Sequence, residues 1–136
     1  MAVGVITSQE SVTQRLKVTG GQRLNGTLKV SGAKNSALVL MTASLLTSET
    51  VELVNVPDLT DIQGMGDILG ALGVQVERSD SRVSLTAEQL TNAEPPYELV
   101  NSLRASFFSI GSLLGRMGHA KVPLPGGCRI GARPVV

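Results

Sequence analysis

The stretch PGGCRIGARP, residues 125–134, holds the only cysteine of the chain, Cys128, behind two glycines and beside Arg129 and Arg133. A thiol with a reference pKa of about 8.5 is mostly protonated at neutral pH yet turns readily into a nucleophile. Cys128 can therefore deliver a proton or form a covalent bond, and the neighbouring guanidinium groups favour its thiolate. A lone cysteine is more often a small, inert hydrophobe. The glycines, prolines and arginines around this one weigh against a place in a core strand. Two further segments carry positive charge at helix starts. SGAKN (31–35) puts Lys34 and Asn35 on a glycine-containing turn, and SLRAS (102–106) puts Arg104 at the head of a second helix. Free N–H groups there attract phosphate or carboxylate. A cation at that end strengthens the attraction but opposes the helix dipole, so its recurrence asks for a reason beyond folding. Taken singly, Lys34 reads as a solvated lysine. Arg104 can pair with Glu98 or Asp67 for less than about 1 kcal/mol if exposed.

The bulk properties narrow the field. The chain has 136 residues, the length of one ordinary domain, with 42% apolar and 17% charged residues, a globular composition. Three aromatic residues (Tyr97, Phe107 and Phe108) and a net charge of +1 give no stacking platform or polyanion surface, which argues against nucleic acid. One Cys and one His nine residues apart make no zinc site, and neither a Walker A run nor a G-x-G-x-x-G fingerprint occurs. No metal or cofactor is expected. The first residues lack a secretory signal pattern, and ALVLMTASLL is too short to span a bilayer, so a cytoplasmic protein with a reduced thiol is expected.

The elements that must position these residues follow from periodicity. Residues 1–13 are polar and aperiodic and read as a loose tail. LKVTG (16–20) and LKVSG (28–32) alternate as short strands around the turn GGQRLNG. A helix is predicted over 35–46 and a strand over 51–57. In LTDIQGMGDILGALG, Ile62, Met65, Ile68, Leu69 and Leu72 share one helical face, Thr60 and Gln63 suit a capping box, and Gly73 suits the C′ position. VQVERS and RVSLTA read as a hairpin around residues 79–81. With LKVSG in front, the order is βαβαββ.

After the linker EQLTNAEPPY the pattern restarts. A shift of 68 residues sets 37–57 over 105–125, matching Ser44-Leu45-Leu46 with Ser112-Leu113-Leu114, Val54 with Val122 and Pro57 with Pro125. That is an internal repeat of a helix and a strand. Phe107 and Phe108 then stand opposite Val39 and Leu40 and are expected in the core, with His119 at a strand end. The second copy should continue into a helix after Arg133-Pro134, where proline fits the first turn. The chain reads as the front part of something larger, one full unit plus part of a second.

SGAKN with its apolar helix, RAS at 104–106 and above all PGGCRIGARP resemble the UDP-N-acetylglucosamine 1-carboxyvinyltransferases of the enolpyruvyl transferase family, from about Leu16 to Val136. The cysteine loop is specific to that branch, and the related shikimate-pathway transferases are not expected to carry it. The resemblance implies an α/β fold, an inside-out α/β barrel built from repeated βαβαββ units, with two domains and the substrates in the cleft between them. Residues 14–32 would belong to the second domain and 33–136 to an incomplete first, catalytic domain. The implied reaction moves the enolpyruvyl group of phosphoenolpyruvate to the 3′-hydroxyl of UDP-N-acetylglucosamine and releases phosphate, the first committed step of peptidoglycan synthesis. By the same resemblance, Cys128 protonates the methylene carbon of phosphoenolpyruvate, can carry a covalent adduct and is alkylated by fosfomycin. Lys34 and Arg133 would neutralise the anion and Asn35 would orient it. Arg104, Arg133, Pro134 and Val135 would hold the sugar nucleotide. The aspartate general base would lie downstream of Val136.

Two other readings stand beside this one. The first is a truncated, non-catalytic piece that binds anions weakly at most. The second is a redox-sensing thiol on a small binding domain, which lacks a resolving cysteine.

Overall fold

The computed structural model describes residues 4–6, 15–21 and 23–124. Two compact units divide between Val30 and Ser31. In the first, β1 (Gly4–Ile6) pairs antiparallel with β2 (Arg15–Lys17), in the register Val5 opposite Leu16. A strand thus lies inside the segment read as a loose tail. The polar composition of residues 1–13 hid a short Val-Ile run with high strand propensity. LKVSG, read as a strand, forms none: Leu28 and Val30 stand 85% and 77% exposed, and no described strand offers them a ladder.

The second unit begins with α1 (Lys34–Ala43), which tightens into a 3₁₀ turn over Ser44–Leu46. Ala37, Leu38, Met41 and Leu45 recur on one face, and that face is buried. β3 (Thr50–Val54) and α2 (Thr60–Ala71) follow, then the hairpin of β4 (Gln75–Ser79) and β5 (Arg82–Thr86). The helix–strand–helix–strand–strand order expected from the sequence is therefore present. All three strands are antiparallel, with β5 in the centre between β3 and β4. Alternation along β5 buries Val83 and Leu85, while Arg82, Ser84 and Thr86 lie on the opposite face. Thr86 meets Thr50 across the ladder, their hydroxyls 2.9 Å apart.

The core lies between that sheet and the helices. Ile62, Met65, Ile68, Leu69 and Leu72 of the α2 segment are fully buried against Leu38, Met41, Leu45, Val83 and Leu85. Gly73 ends the helix with φ +102, as expected of a C′ glycine. The start differs from expectation. Leu59 is the N-cap, Thr60 is the first helical residue, and no side chain caps the end. Asp58, one residue earlier, takes Gln63 away from a capping box. Its Oδ1 accepts from Gln63 Nε2 at 3.2 Å and from Arg78 Nη2 at 2.7 Å.

After the hairpin and linker come α3 (Tyr97–Ser102), then, in the second repeat copy, a 3₁₀ turn over Arg104–Phe108 and α4 (Ser109–Met117), closed by Gly118 at φ +75. The turn and α4 together stand where α1 stands in the first copy, and α4 packs on α1 and on its 3₁₀ turn. Leu113 fills the core as Leu45 does. The expected second strand is absent among the described residues, where 119–124 run without ladder partners. Lys121 N donates to Ala93 O at 3.1 Å, a single backbone bond, and His119 is exposed beside the Met117 carbonyl. Phe108 is not a core residue. It is 51% exposed, as is its repeat partner Leu40, and Leu46 and Leu114 form a second equivalent pair at 54% and 48%. Both copies leave the same helix face uncovered.

Candidate functional site

Lys34 is the first residue of α1, and the helix offers it nothing local. The N-cap is Ala33, with extended backbone and no side-chain hydrogen bond, and the first turn contains no acid. The ammonium therefore sits against the positive end of the helix dipole. Compensation comes from the neighbouring helix. Lys34 Nζ donates to Asp61 Oδ2 across 27 residues of sequence. Asp61 lies in the first turn of α2, where a carboxylate is favoured by the free N–H groups. Buried Leu38 and Met41 belong to the same core cluster as Ile62 and Met65, and α1 packs on α2. The two side chains remain 41% and 35% exposed, so the pair contributes on the order of 1 kcal/mol or less to stability. Its interest is geometric: a flexible lysine is held at one place.

A cleft of about 350 Å³ is lined by Gly32, Ala33, Ser36 and Leu40 on one side and by residues 52–56 on the other; Lys34 and Asp61 are not among its lining residues. Gly32 crosses directly over Asn55, whose backbone is left-handed at φ +57. Ser36 stands exposed on the opening turn of α1, as does Asn35 next to Lys34. Arg104 opens the 3₁₀ turn before α4 and is half-buried, in an element that packs on both α1 and α2. The structure thus brings the elements carrying Lys34, Asn35 and Arg104 into one packed set. Cys128, Arg129, Arg133, Pro134 and Val135 lie outside the described residues.

Asp61 is the residue that sequence reading passed over. Its one local signal is an acid in the first turn of a helix, which is common for reasons of folding alone. Nothing in spacing links residue 61 to residue 34; the contact exists because two core-facing helices start side by side. Among the described residues, no group of three or more His, Cys, Asp or Glu is placed to hold a metal ion. No helix among them is long and apolar enough to cross a membrane.

The crystal structure of the enolpyruvyl transferase NikO from Streptomyces tendae superposes with a TM-score of 0.64 at 30% identity, over 73% of this chain and 23% of that one. The family model for EPSP synthase (3-phosphoshikimate 1-carboxyvinyltransferase) matches residues 18–136, and the chain belongs to that family of carboxyvinyl transferases. Within it, the chain is 73% identical over 136 residues to the UDP-N-acetylglucosamine 1-carboxyvinyltransferase of Parasynechococcus marenigrum. It is 73% identical over 129 residues to that of Synechococcus sp. and 66% over 136 residues to that of Prochlorococcus marinus strain MIT 9313. The chain spans 30–31% of the length of these relatives.

Proposed function

We propose that this chain supplies the phosphoenolpyruvate-capturing part of a UDP-N-acetylglucosamine 1-carboxyvinyltransferase that works in the cytoplasm. The observation that carries the reading is the 73% identity, sustained along all 136 residues, to a relative of that name. The cysteine loop PGGCRIGARP, specific to the sugar-nucleotide branch, supports the same choice.

In this reading, the Cys128 thiol gives its proton to the methylene carbon of phosphoenolpyruvate, leaving oxocarbenium character at C2. The 3′-hydroxyl oxygen of UDP-N-acetylglucosamine bonds to C2, and its proton passes to a base beyond Val136. Return of a methyl proton to the Cys128 thiolate and cleavage of the bond between C2 and the phosphate oxygen then release phosphate and form the enol ether of the sugar nucleotide. Lys34 and Arg133 neutralise the phosphate and carboxylate, and Asn35 orients them. Arg104, Arg133, Pro134 and Val135 hold the sugar nucleotide, with Arg104 as a bidentate donor. Residues 14–32 contribute to a second domain that forms the other wall of the cleft.

The test is a chimera in which these 136 residues replace the matching 31% of the Parasynechococcus enzyme. Phosphate release from phosphoenolpyruvate should depend on UDP-N-acetylglucosamine and vanish in Cys128→Ala, together with covalent labelling by fosfomycin. Labelling that persists in Cys128→Ala refutes the assignment. The 136-residue chain by itself should give no turnover, because the base lies elsewhere. Turnover by the isolated chain would refute that placement of the base.

A further inference from the structure

We infer that Asp61 is a positioning residue for anion capture: it holds the Lys34 ammonium at the head of α1 while leaving part of its donor capacity free for phosphoenolpyruvate. The inference rests on the functional reading above, and it goes further by assigning a residue that the cysteine loop and the basic residues do not include.

Three observations combine. Lys34 Nζ is paired with Asp61 Oδ2, and both side chains are only partly exposed, at 41% and 35%. An ammonium has three N–H donors, and one carboxylate oxygen engages one of them. The remaining two can face an incoming phosphate or carboxylate. A lysine side chain is otherwise a flexible four-carbon stem that loses much rotamer freedom when a ligand fixes it. Asp61 meets that cost during folding, before the ligand arrives. Asp61 itself is stabilised without Lys34, because it stands in the first turn of α2, at the positive end of that helix. It can therefore keep its charge and place while Lys34 turns its free protons to substrate. Asp58, three residues before Asp61, is committed to Arg78 and Gln63.

The opposite outcome is physically reasonable, which makes the test sharp. A carboxylate beside an anion site also repels the anion, so removing it raises affinity if charge outweighs position. Asp61→Asn in the chimera keeps the size and removes the charge. Positioning requires KM for phosphoenolpyruvate to rise about tenfold or more, with KM for UDP-N-acetylglucosamine within about twofold of wild type and an unchanged melting temperature. An unchanged or lower KM for phosphoenolpyruvate in a variant that melts with wild type overturns the inference. An equal rise in both KM values does so too, since that is the mark of general disturbance. If Asp61→Asn does not fold, Asp61→Glu takes the same measurements under the same criteria. If neither folds, Asp61 is a structural residue and the inference falls. A wild-type chimera without turnover refutes the functional reading and this inference together, whereas turnover with an indifferent Asp61 refutes the inference alone.

Discussion

A β-carbon built on Gly32 would stand 1.7 Å from the carbonyl oxygen of Asn55. The backbone leading to Lys34 therefore passes over the end of β3 at a distance that only glycine permits. The obstacle is backbone rather than the tip of a flexible side chain, so it cannot swing aside. Asn55 contributes its own constraint at φ +57, where asparagine is tolerated better than most residues.

Gly32→Ala should accordingly destabilise the unit by about 1–3 kcal/mol, the usual cost of overpacking. The check is thermal unfolding of the chain followed by circular dichroism. A melting temperature equal to wild type would show that the segment before α1 does not lie on Asn55. In the chimera, the same substitution should also raise KM for phosphoenolpyruvate, because Lys34 follows two residues later.

The glycines of α2 and its cap should respond in opposite directions. Gly73 has φ +102, and an added β-carbon would meet Gln89 O at 2.8 Å and Thr91 N at 2.9 Å. Gly70 lies inside the helix with nothing within 4 Å. Gly73→Ala should cost about 1–3 kcal/mol, whereas Gly70→Ala should add about 0.5–1 kcal/mol through helix propensity. Urea unfolding of the two variants side by side decides it, and a shared sign would contradict the geometry.

Ser106 is fully buried and its hydroxyl has no hydrogen-bond partner among the described residues. The 68-residue shift sets it opposite Leu38, which is core in the first copy. Ser106→Ala should therefore stabilise the chain by about 1 kcal/mol, since it removes an uncompensated polar group. Ser109, whose hydroxyl donates to Ser106 O at 2.7 Å, should gain nothing from the same change. Chemical denaturation of both alanine variants measures the difference. Destabilisation by Ser106→Ala would mean that the hydroxyl has found a partner.

Leu69 is fully buried in the cluster that joins α2 to the sheet and to α1. Leu69→Ala should cost about 2–5 kcal/mol. Leu40→Ala, on the exposed helix face shared by both repeat copies, should change the stability of the isolated chain by less than about 0.5 kcal/mol. In the chimera, a larger penalty at Leu40 would show that the face is covered there.

Much of this protein follows from local pattern. The 3.6-residue recurrence of Ile62, Met65, Ile68, Leu69 and Leu72 marks α2 and its buried face. Alternation in β4 and β5 marks the hairpin, and Gly73 marks a helix end, because these features depend on the preferences of neighbouring residues. The cysteine loop and the lysine at a helix head stand out as candidate chemistry for the same reason, and they carry the family resemblance that the comparisons bear out. Other features were decided by partners distant in sequence. Gln63 bonds to Asp58 rather than to its helix cap, and LKVSG alternates like a strand but lies unpaired. Phe108 has the spacing of a core residue but faces outward, since nothing in its own turn specifies what packs against it. The Lys34–Asp61 pair belongs to this second group. Two helix starts became neighbours because their apolar faces share a core, and only that packing brings an acid to the lysine that needs one.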